Sequence, residues 1–234
     1  MRPLPPIAVK LLVLLGVACL GVVTLVGLRL HDVRGPVSLD VRTARPVFDH
    51  IFGIPVVPTR LARGFQELGN PPQFALILAA LVGAGILLHD RLVAWSAGIG
   101  PVVAEILAEK IGKPLFNRTD YAGVDSFPSG HVTAMTAIAA IIVLLAYRRW
   151  GVRGLTWGVP LGALLSGSML LSVVRLHSHV MSDALGGIGV GLGAVALVVA
   201  VVDVTISTGE GSSDQGRSSV NPAAEKSPSK ASVH

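Results

Sequence analysis

Long apolar runs, separated by shorter polar stretches, make up most of the chain. A helix needs about 20 mostly apolar residues to cross the hydrocarbon layer of a bilayer, with about 17 to 25 as the usual range. Six segments have or approach this length: Ile7 to Leu28, Gln73 to Leu88, Leu92 to Ala108, Val132 to Tyr147, Leu155 to Val174 and Ala184 to Val204. The pattern therefore predicts an all-α fold, an integral-membrane bundle of six transmembrane helices formed by residues 1–206.

The first apolar segment has two interpretations. Arg2 and Lys10 stand ahead of a long apolar run, as they would in a cleaved signal peptide. The run continues past Ala18 and Cys19 without a small-residue cleavage site, and it is long enough to span the bilayer. We therefore predict an uncleaved membrane anchor, with the signal peptide as the alternative.

Two polar regions lie outside the predicted spans. In residues 29–72, Thr59 is placed to cap a short helix ending at Gly69, which is expected to lie on the bilayer surface as a lid or brace. Its apolar edge consists of Leu61, Phe65 and Leu68. Residues 207–234 are rich in Ser, with Gly, Pro and mixed charges, and this composition predicts a disordered tail.

The overall composition agrees with a membrane protein and narrows the choice of partners. The chain is 51% hydrophobic and 14% charged, with a mean hydropathy of +0.67. Its net charge of +5 is scattered between apolar segments, which argues against nucleic acid as a partner and suits anionic lipid head groups of a bilayer. The single cysteine, Cys19, excludes an intramolecular disulfide and a C-x-x-C metal or redox site.

The positions of the basic residues predict an orientation in the cell membrane. A cytoplasmic N-terminus and a cytoplasmic loop between spans four and five are favoured by Arg2, Lys10, Arg148, Arg149 and Arg153. Arginines in the first loop dilute this signal. With six spans, both termini are cytoplasmic, and the loops between spans three and four and between spans five and six open together on the outer face.

A turn with the sequence Pro128-Ser129-Gly130-His131 stands directly before the fourth span. Ser129 is a good helix cap, and Gly130 lets a ligand approach the backbone closely. The free N–H groups and the positive dipole end of the helix then make an anion site. The alternative interpretation is a capped helix start with an interfacial histidine.

A second polar cluster precedes the sixth span. His179 and Asp183 are four residues apart, and a carboxylate bonded to one imidazole nitrogen leaves the other nitrogen as a nucleophile. Arg175 lies four residues earlier, so a continuous helix would place all three on one stripe. Two alternatives are an interfacial cluster that closes a helix turn and a metal site with His177 and His131, although no Cys or H-E-x-x-H pattern supports a metal.

Two cations, Lys113 and Arg118, precede the anion-binding turn. Arginine is suited to two-pronged phosphate contacts, and lysine acts as a point charge. Phosphoryl transfer requires positive charge around the phosphate oxygens, an in-line nucleophile and an acid for the leaving oxygen. The two loops on the outer face hold groups suited to each of these tasks.

Together these residues resemble the type-2 phosphatidic acid phosphatase family of membrane lipid phosphatases, which are relatives of the vanadium haloperoxidases. The resemblance rests on Lys113 to Arg118, on Phe127-Pro128-Ser129-Gly130-His131, and on Ser172 to Asp183 with its H-x-x-x-D ending. It implies a reaction without metal or cofactor, in which His179 attacks phosphorus to give a phosphohistidine, supported by Asp183, and His131 protonates the leaving oxygen. The residues implied to hold the phosphate are Lys113, Arg118, Arg175, Ser129 and Gly130.

The chain departs from the family pattern at two positions. The family's first motif is K-x6-R-P, but Asp120 stands where its arginine is expected, and Arg118 is the available replacement. In the third motif, the family's arginine stands six residues before the histidine, where this chain has Val173. Arg175 or His177 is then the candidate for its role.

From this resemblance we expect a lipid phosphatase whose substrate is a polyprenyl diphosphate or a polyprenyl-linked phosphate of envelope synthesis. Phosphatidic acid and phosphatidylglycerol phosphate are alternative substrates, because prenyl and acyl tails would both lie along apolar helix faces. Two further alternatives come from other classes of protein: a non-catalytic membrane protein that binds or moves anionic lipids, and a metal-dependent membrane hydrolase.

Overall fold

The computed structural model describes residues 3–51, 54–55, 57–120 and 123–218, with the backbone alone for residues 50–51, 54–55 and 210–218. Its α-helices, in chain order, are α1 (Pro6–Arg29), α2 (Ser38–Phe48), α3 (Thr59–Leu68), α4 (Pro71–Leu87), α5 (Arg91–Glu105), α6 (Lys113–Phe116), α7 (Gly130–Trp150), α8 (Val152–Arg175) and α9 (Met181–Ser218). A π-helical segment, Ile106–Gly112, joins α5 to α6. After α2, the strands β1 (His50–Ile51) and β2 (Ile54–Pro55) pair antiparallel.

Five helical stretches of the described chain are long and apolar enough to cross a membrane. They are α1, the run Arg91–Phe116, α7, α8 and the part Met181–Gly209 of α9. The pair α3 and α4 passes the same test only as one span, bent by 62° at the break between them. The predicted all-α membrane bundle is therefore confirmed, with five candidate spans in the described chain, or six if the bent pair counts as one span.

The centre of the bundle is formed by α7 and α9, which pack against each other through small residues. A Cβ at Gly187 would lie 2.6 Å from Ser129 O, and one at Gly191 would lie 2.8 Å from Thr133 O. Only glycine permits this approach of the two backbones, as at other close helix crossings in membranes. The first turns of α7 and α9 are consequently held side by side, and both carry predicted site residues.

Two details of the predicted secondary structure are refined. The short helix predicted to end at Gly69 is present as α3, but Thr59 is its first residue, and Pro58 occupies the cap position without a side-chain cap bond. At the other end of the chain, α9 continues through residue 207, where the tail was predicted to begin, and reaches Ser218. Residues 219–234 lie outside the described part, so the disorder of that remainder stays a prediction.

Candidate active site

The predicted polar residues meet at one end of the bundle, where α7 and α9 begin. The backbone N–H of Ser129 donates to Asp183 O at 3.0 Å, so the turn before α7 is tied to the first turn of α9. Both residues are fully buried, at 0% and 1% exposure respectively. This end therefore combines the proposed anion turn with the histidine and carboxylate of the second cluster.

His179 lies in the turn between α8 and α9 rather than on a continuous helix. Helix α8 ends at Arg175, His177 has a φ of 57°, and α9 begins only at Met181. The single helical stripe considered for Arg175, His179 and Asp183 is therefore not formed. The turn is fixed instead by the carbonyl of Val173, which accepts the N–H of His179 at 3.3 Å.

The imidazole of His179 faces the carboxylate of Asp183. Its Nδ1 lies 3.8 Å from Asp183 Oδ2, close enough for an ion pair but beyond hydrogen-bond length. Nδ1 is buried and has no hydrogen-bond partner among the described residues. Because Asp183 is on the Nδ1 side, the other ring nitrogen, Nε2, is the one available to a substrate.

Arg118 is buried at 1% exposure, and its guanidinium binds two carboxylates. One terminal nitrogen, Nη1, donates to Asp183 Oδ1 and, at 2.6 Å, to Ser182 Oγ. The other, Nη2, donates to Asp40 Oδ2 at 3.0 Å and lies 3.4 Å from Gly35 O. The structure thus directs the guanidinium of Arg118 toward protein carboxylates, whereas the family resemblance implied a phosphate.

The backbone around Arg118 explains its inward direction. Thr119 forms isolated β-bridges with Arg34 and with Asp125, and Arg118 O accepts the N–H of Ser126 at 2.8 Å. The segment is therefore held like the middle strand of a small sheet, in which successive side chains point to opposite sides. Asp120, which stands where the family arginine is expected, turns to the loop and accepts the N–H of Val124 at 2.9 Å.

Asp40, on α2, completes the buried charge cluster and was not singled out from the sequence. It is 2% exposed, and its Oδ1 accepts the backbone N–H of Ser182 at 2.8 Å. Burial acts to raise the pKa of Asp40, but hydrogen bonds from Ser182, from the N–H of Val37 and from Arg118 outweigh it and lower that pKa. Asp40 is therefore ionised at neutral pH.

His131 lies in the first turn of α7, beneath the bend between α3 and α4. Its Nε2 is 3.3 Å from Asn70 Oδ1, and because an amide oxygen can only accept, this contact requires a proton on Nε2. A Cβ at Gly69 would lie 2.8 Å from the imidazole ring, so the chain at the bend packs directly on His131. Asn70 thus fixes the orientation of the ring, a role that its position before two prolines did not reveal.

The anion turn itself contains a buried hydroxyl and a neighbouring ion pair. Ser129 Oγ is buried and has no hydrogen-bond partner within the described chain. Lys113 Nζ donates to Glu109 Oε2 at 2.7 Å, and a Cβ at Gly130 would overlap Glu109 Oε1. Lys113, Ser129 and Gly130 are therefore brought together as predicted, with the carboxylate of Glu109 at the place where an anion would approach α7.

Arg175 contacts residues of α2 and of the segment before α3, and it has no described contact with the proposed phosphate site. Its Nε donates to Val57 O at 3.0 Å, and its guanidinium carbon lies 5.4 Å from the centre of the Phe48 ring. The ring of His177 also packs on Phe48, with 4.9 Å between ring centres. Val173, which replaces the family arginine, is fully buried in an apolar cluster. None of these three side chains adds a described contact to Ser129 or Lys113.

A cavity of about 610 Å³ opens between α2 and the turn that carries His179. Its walls are mostly apolar, and the catalytic candidates His179 and Asp183 are among its polar lining residues. The cavity is lined by, among other residues, Val41, Ala44, Phe48, Val180, His179 and Asp183. Space for an apolar group therefore adjoins the histidine. Within the described residues, no group of three or more His, Cys, Asp and Glu side chains has the geometry of a metal site.

Comparison with known protein families identifies the family of the chain. The model of the family described as the PAP2 superfamily matches residues 41–206, well over half of the chain. The matched range contains α3 to α8 and every site residue predicted from the sequence. No curated protein and no solved structure matches the chain.

Proposed function

The chain belongs to the PAP2 superfamily, which supports a membrane phosphatase, and we propose that its substrates are phosphorylated lipids. We propose that it hydrolyses a lipid phosphate or diphosphate through a phosphohistidine on His179. The observation that carries the mechanism is the pairing of His179 Nδ1 with Asp183 Oδ2 at 3.8 Å, which leaves Nε2 free as the nucleophile.

In the first step, the lone pair of His179 Nε2 forms a bond to phosphorus as the bond from phosphorus to the lipid oxygen breaks. Protonated His131 transfers a ring proton to that leaving oxygen. Asp183 supports the positive charge that develops on the imidazole, and its contact with Nδ1 shortens to a hydrogen bond in the substrate complex. In the second step, His131 accepts a proton from water, water oxygen attacks phosphorus, and the phosphorus–nitrogen bond breaks.

The phosphate is held at the start of α7 in this proposal. Lys113 supplies the positive charge, and the hydroxyl of Ser129 and the N–H of Gly130 donate hydrogen bonds at the positive end of the helix dipole. Substrate phosphate displaces the carboxylate of Glu109 from Lys113. These groups supply positive charge and donors for the reaction without a metal ion, while Arg118 and Arg175, predicted to share the task, have other partners.

For the substrate we propose a polyprenyl diphosphate or a polyprenyl-linked phosphate, handled at the outer face of the cell membrane. The apolar cavity beside His179 supports a lipid leaving group, since Val41, Ala44 and Phe48 offer it an apolar wall. Phosphatidic acid and phosphatidylglycerol phosphate are the alternative substrates. Cytoplasmic termini and an outward-facing site are part of this proposal, which the basic residues near the N-terminus and between spans four and five support.

Phosphate release from purified protein in lipid nanodiscs tests this function. The substrates are a prenyl diphosphate, a prenyl monophosphate, phosphatidic acid and phosphatidylglycerol phosphate, each assayed with EDTA and with vanadate. We expect turnover of the prenyl substrates that persists in EDTA and is stopped by vanadate, which mimics the phosphorus in the transition state. Turnover lost in EDTA and restored by a metal would identify a metal-dependent hydrolase, and no turnover on any substrate would favour a lipid-binding protein.

Replacing Asn70 by alanine is expected to lower kcat by about two- to tenfold, because one hydrogen bond that orients His131 is lost. The fold should change little, since the Asn70 side chain makes no cap bond to α4. Steady-state kinetics and a melting curve measure the two effects. The exposed Gln73, on the same helix, provides the control Gln73→Ala, which should match the wild type. An unchanged kcat in Asn70→Ala would remove Asn70 from the site.

A further inference from the structure

Asp40 is a buried carboxylate on a helix that is otherwise mostly exposed. In α2, only Asp40 and Val47 are buried. Burying a carboxylate carries a large desolvation cost, which is met only where charged or N–H partners surround it. Asp40 has such partners, since it accepts from Arg118, from the N–H of Val37 and from the N–H of Ser182. The partners, rather than apolar packing, therefore account for its position.

Two of these partners lead directly to the catalytic candidates. Ser182 is the second residue of α9, so Asp40 accepts an N–H from the first turn of the helix that carries Asp183. Arg118 bridges Asp40 and Asp183 with its two terminal nitrogens. Asp40 thus holds both the helix end and the guanidinium that lie behind Asp183.

We propose that Asp40 is a positioning residue for His179. Asp40 balances the positive charge of Arg118, so that Asp183 keeps a net negative charge that supports the imidazole of His179. Arg118 carries one positive charge, and Asp40 and Asp183 carry one negative charge each. With Asp40 present, the cluster presents one net negative charge toward His179. Without it, Arg118 neutralises Asp183, and the support for a positively charged imidazole weakens. The inference rests on the proposed function of His179 as nucleophile.

The charged groups around His179 come from several elements. His179 interacts with Asp183 in α9 and with His131 in α7, while Arg118 and Asp40 lie behind Asp183. Glu109 and Lys113 act on His131, and the same cavity as His179 is lined by Arg45, Asp49, Asp120 and His177. His131, Glu109 and Lys113 are unchanged by a substitution at Asp40, so any change in the titration of His179 is assigned to the cluster behind Asp183.

The test is the substitution Asp40→Asn, which keeps the size of the side chain and removes its charge. His179 attacks in its neutral form, so protonation of its imidazole lowers kcat/KM on the acid side of the pH profile. Loss of the negative charge makes the imidazolium less stable. We expect the acid limb of the kcat/KM profile to move down by about 0.5 to 1 pH unit and kcat to fall by about tenfold.

Two variants separate charge from structure. Asp40→Glu keeps the charge, so its acid limb should stay at the wild-type position even if its kcat falls. Glu67→Gln also removes one negative charge, at an exposed position of α3 that does not line the cavity, and should leave both the limb and kcat unchanged. A purely structural role for Asp40 would lower activity at every pH without moving the limb, and that outcome would overturn the proposal.

A double variant covers the case in which Asp40→Asn does not fold. Asp40→Asn with Arg118→Gln removes one charge of each sign and restores one net negative charge on Asp183. Its acid limb should lie at or above the wild-type position, and a limb shifted to lower pH would contradict the charge argument.

A measurement without turnover distinguishes failure of this inference from failure of the proposed function. The rate at which diethyl pyrocarbonate modifies His179, located by mass spectrometry, reports the neutral fraction of the imidazole at each pH. A wild-type protein that lacks phosphatase activity would refute the function, while the modification profile would still give the position of the His179 titration. Identical modification profiles for the wild type and Asp40→Asn would refute the role of Asp40.

Discussion

Protein with His179→Ala is expected to lose phosphatase activity by at least about 10⁴-fold in kcat, because no other side chain takes the place of an attacking nitrogen. In the structure, His179 Nδ1 faces Asp183, and Nε2 is left for the substrate. Without the nucleophile, the variant keeps only the groups that bind the phosphate and the general acid His131. The fold should persist, since the imidazole has no described hydrogen bond to lose.

The measurement is phosphate release on the best lipid substrate, combined with a rapid acid-free quench to trap a phosphorylated enzyme. Wild-type protein should give phosphohistidine on a peptide that contains His179, and the variant should give none. His31, which is exposed and paired with Asp32, supplies the control His31→Ala, expected to behave like the wild type. Activity near the wild-type level in His179→Ala would assign the nucleophile elsewhere.

The fold could be predicted because a membrane helix needs only length and apolar composition. The five candidate spans follow the apolar runs of the sequence closely. Helix α2 could not be predicted because Pro46 lies within it and a proline usually breaks a helix, but here Pro46 is accommodated near the helix end. The bend between α3 and α4 falls at Gly69 to Pro72, where the sequence shows the break but not the direction of the chain after it.

The site could be predicted as far as its residues are close in sequence or related by the order of the spans. Ser129, Gly130 and His131 lie in one turn, and the even number of spans between the loops brings them to the face of Asp183. The contact between Arg118 and Asp40 joins residues 78 positions apart, with α3, α4 and α5 between them in the chain. The hydrophobic pattern of a sequence does not predict such a contact, so only the structure shows that Arg118 pairs with Asp40 and Asp183.

The two departures from the family pattern also have physical explanations in the structure. Val173 fills an apolar cluster, and an arginine there would place a charge among Met169, Val132 and Met135. Asp120 caps a loop turn outside the cluster. Because neither family arginine is present, Lys113 is the cation that we propose to bind the phosphate. Arg118 instead forms an ion pair with Asp183.

Protein with Arg118→Ala is expected to be destabilised by about 3 to 5 kcal/mol, the usual cost of removing one partner of a buried ion pair. Asp40 and Asp183 are 2% and 1% exposed, and without the guanidinium they face each other as unpaired carboxylates. Their repulsion and lost hydrogen bonds should loosen the start of α9, and kcat should fall together with stability. Melting in detergent and unfolding in SDS measure the first effect, and phosphate release measures the second.

The control substitution and a second-site change make this prediction specific. Arg45, exposed on α2, gives Arg45→Ala, which should leave the melting temperature unchanged. Adding Asp40→Asn to Arg118→Ala removes one of the two unpaired charges, so the double variant should recover part of the lost stability while kcat stays low. Because additive losses are the rule for independent sites, such recovery would show that the two residues act as a pair. A melting temperature of Arg118→Ala equal to that of the wild type would mean that the buried charges find other partners and that the cluster does not hold α9.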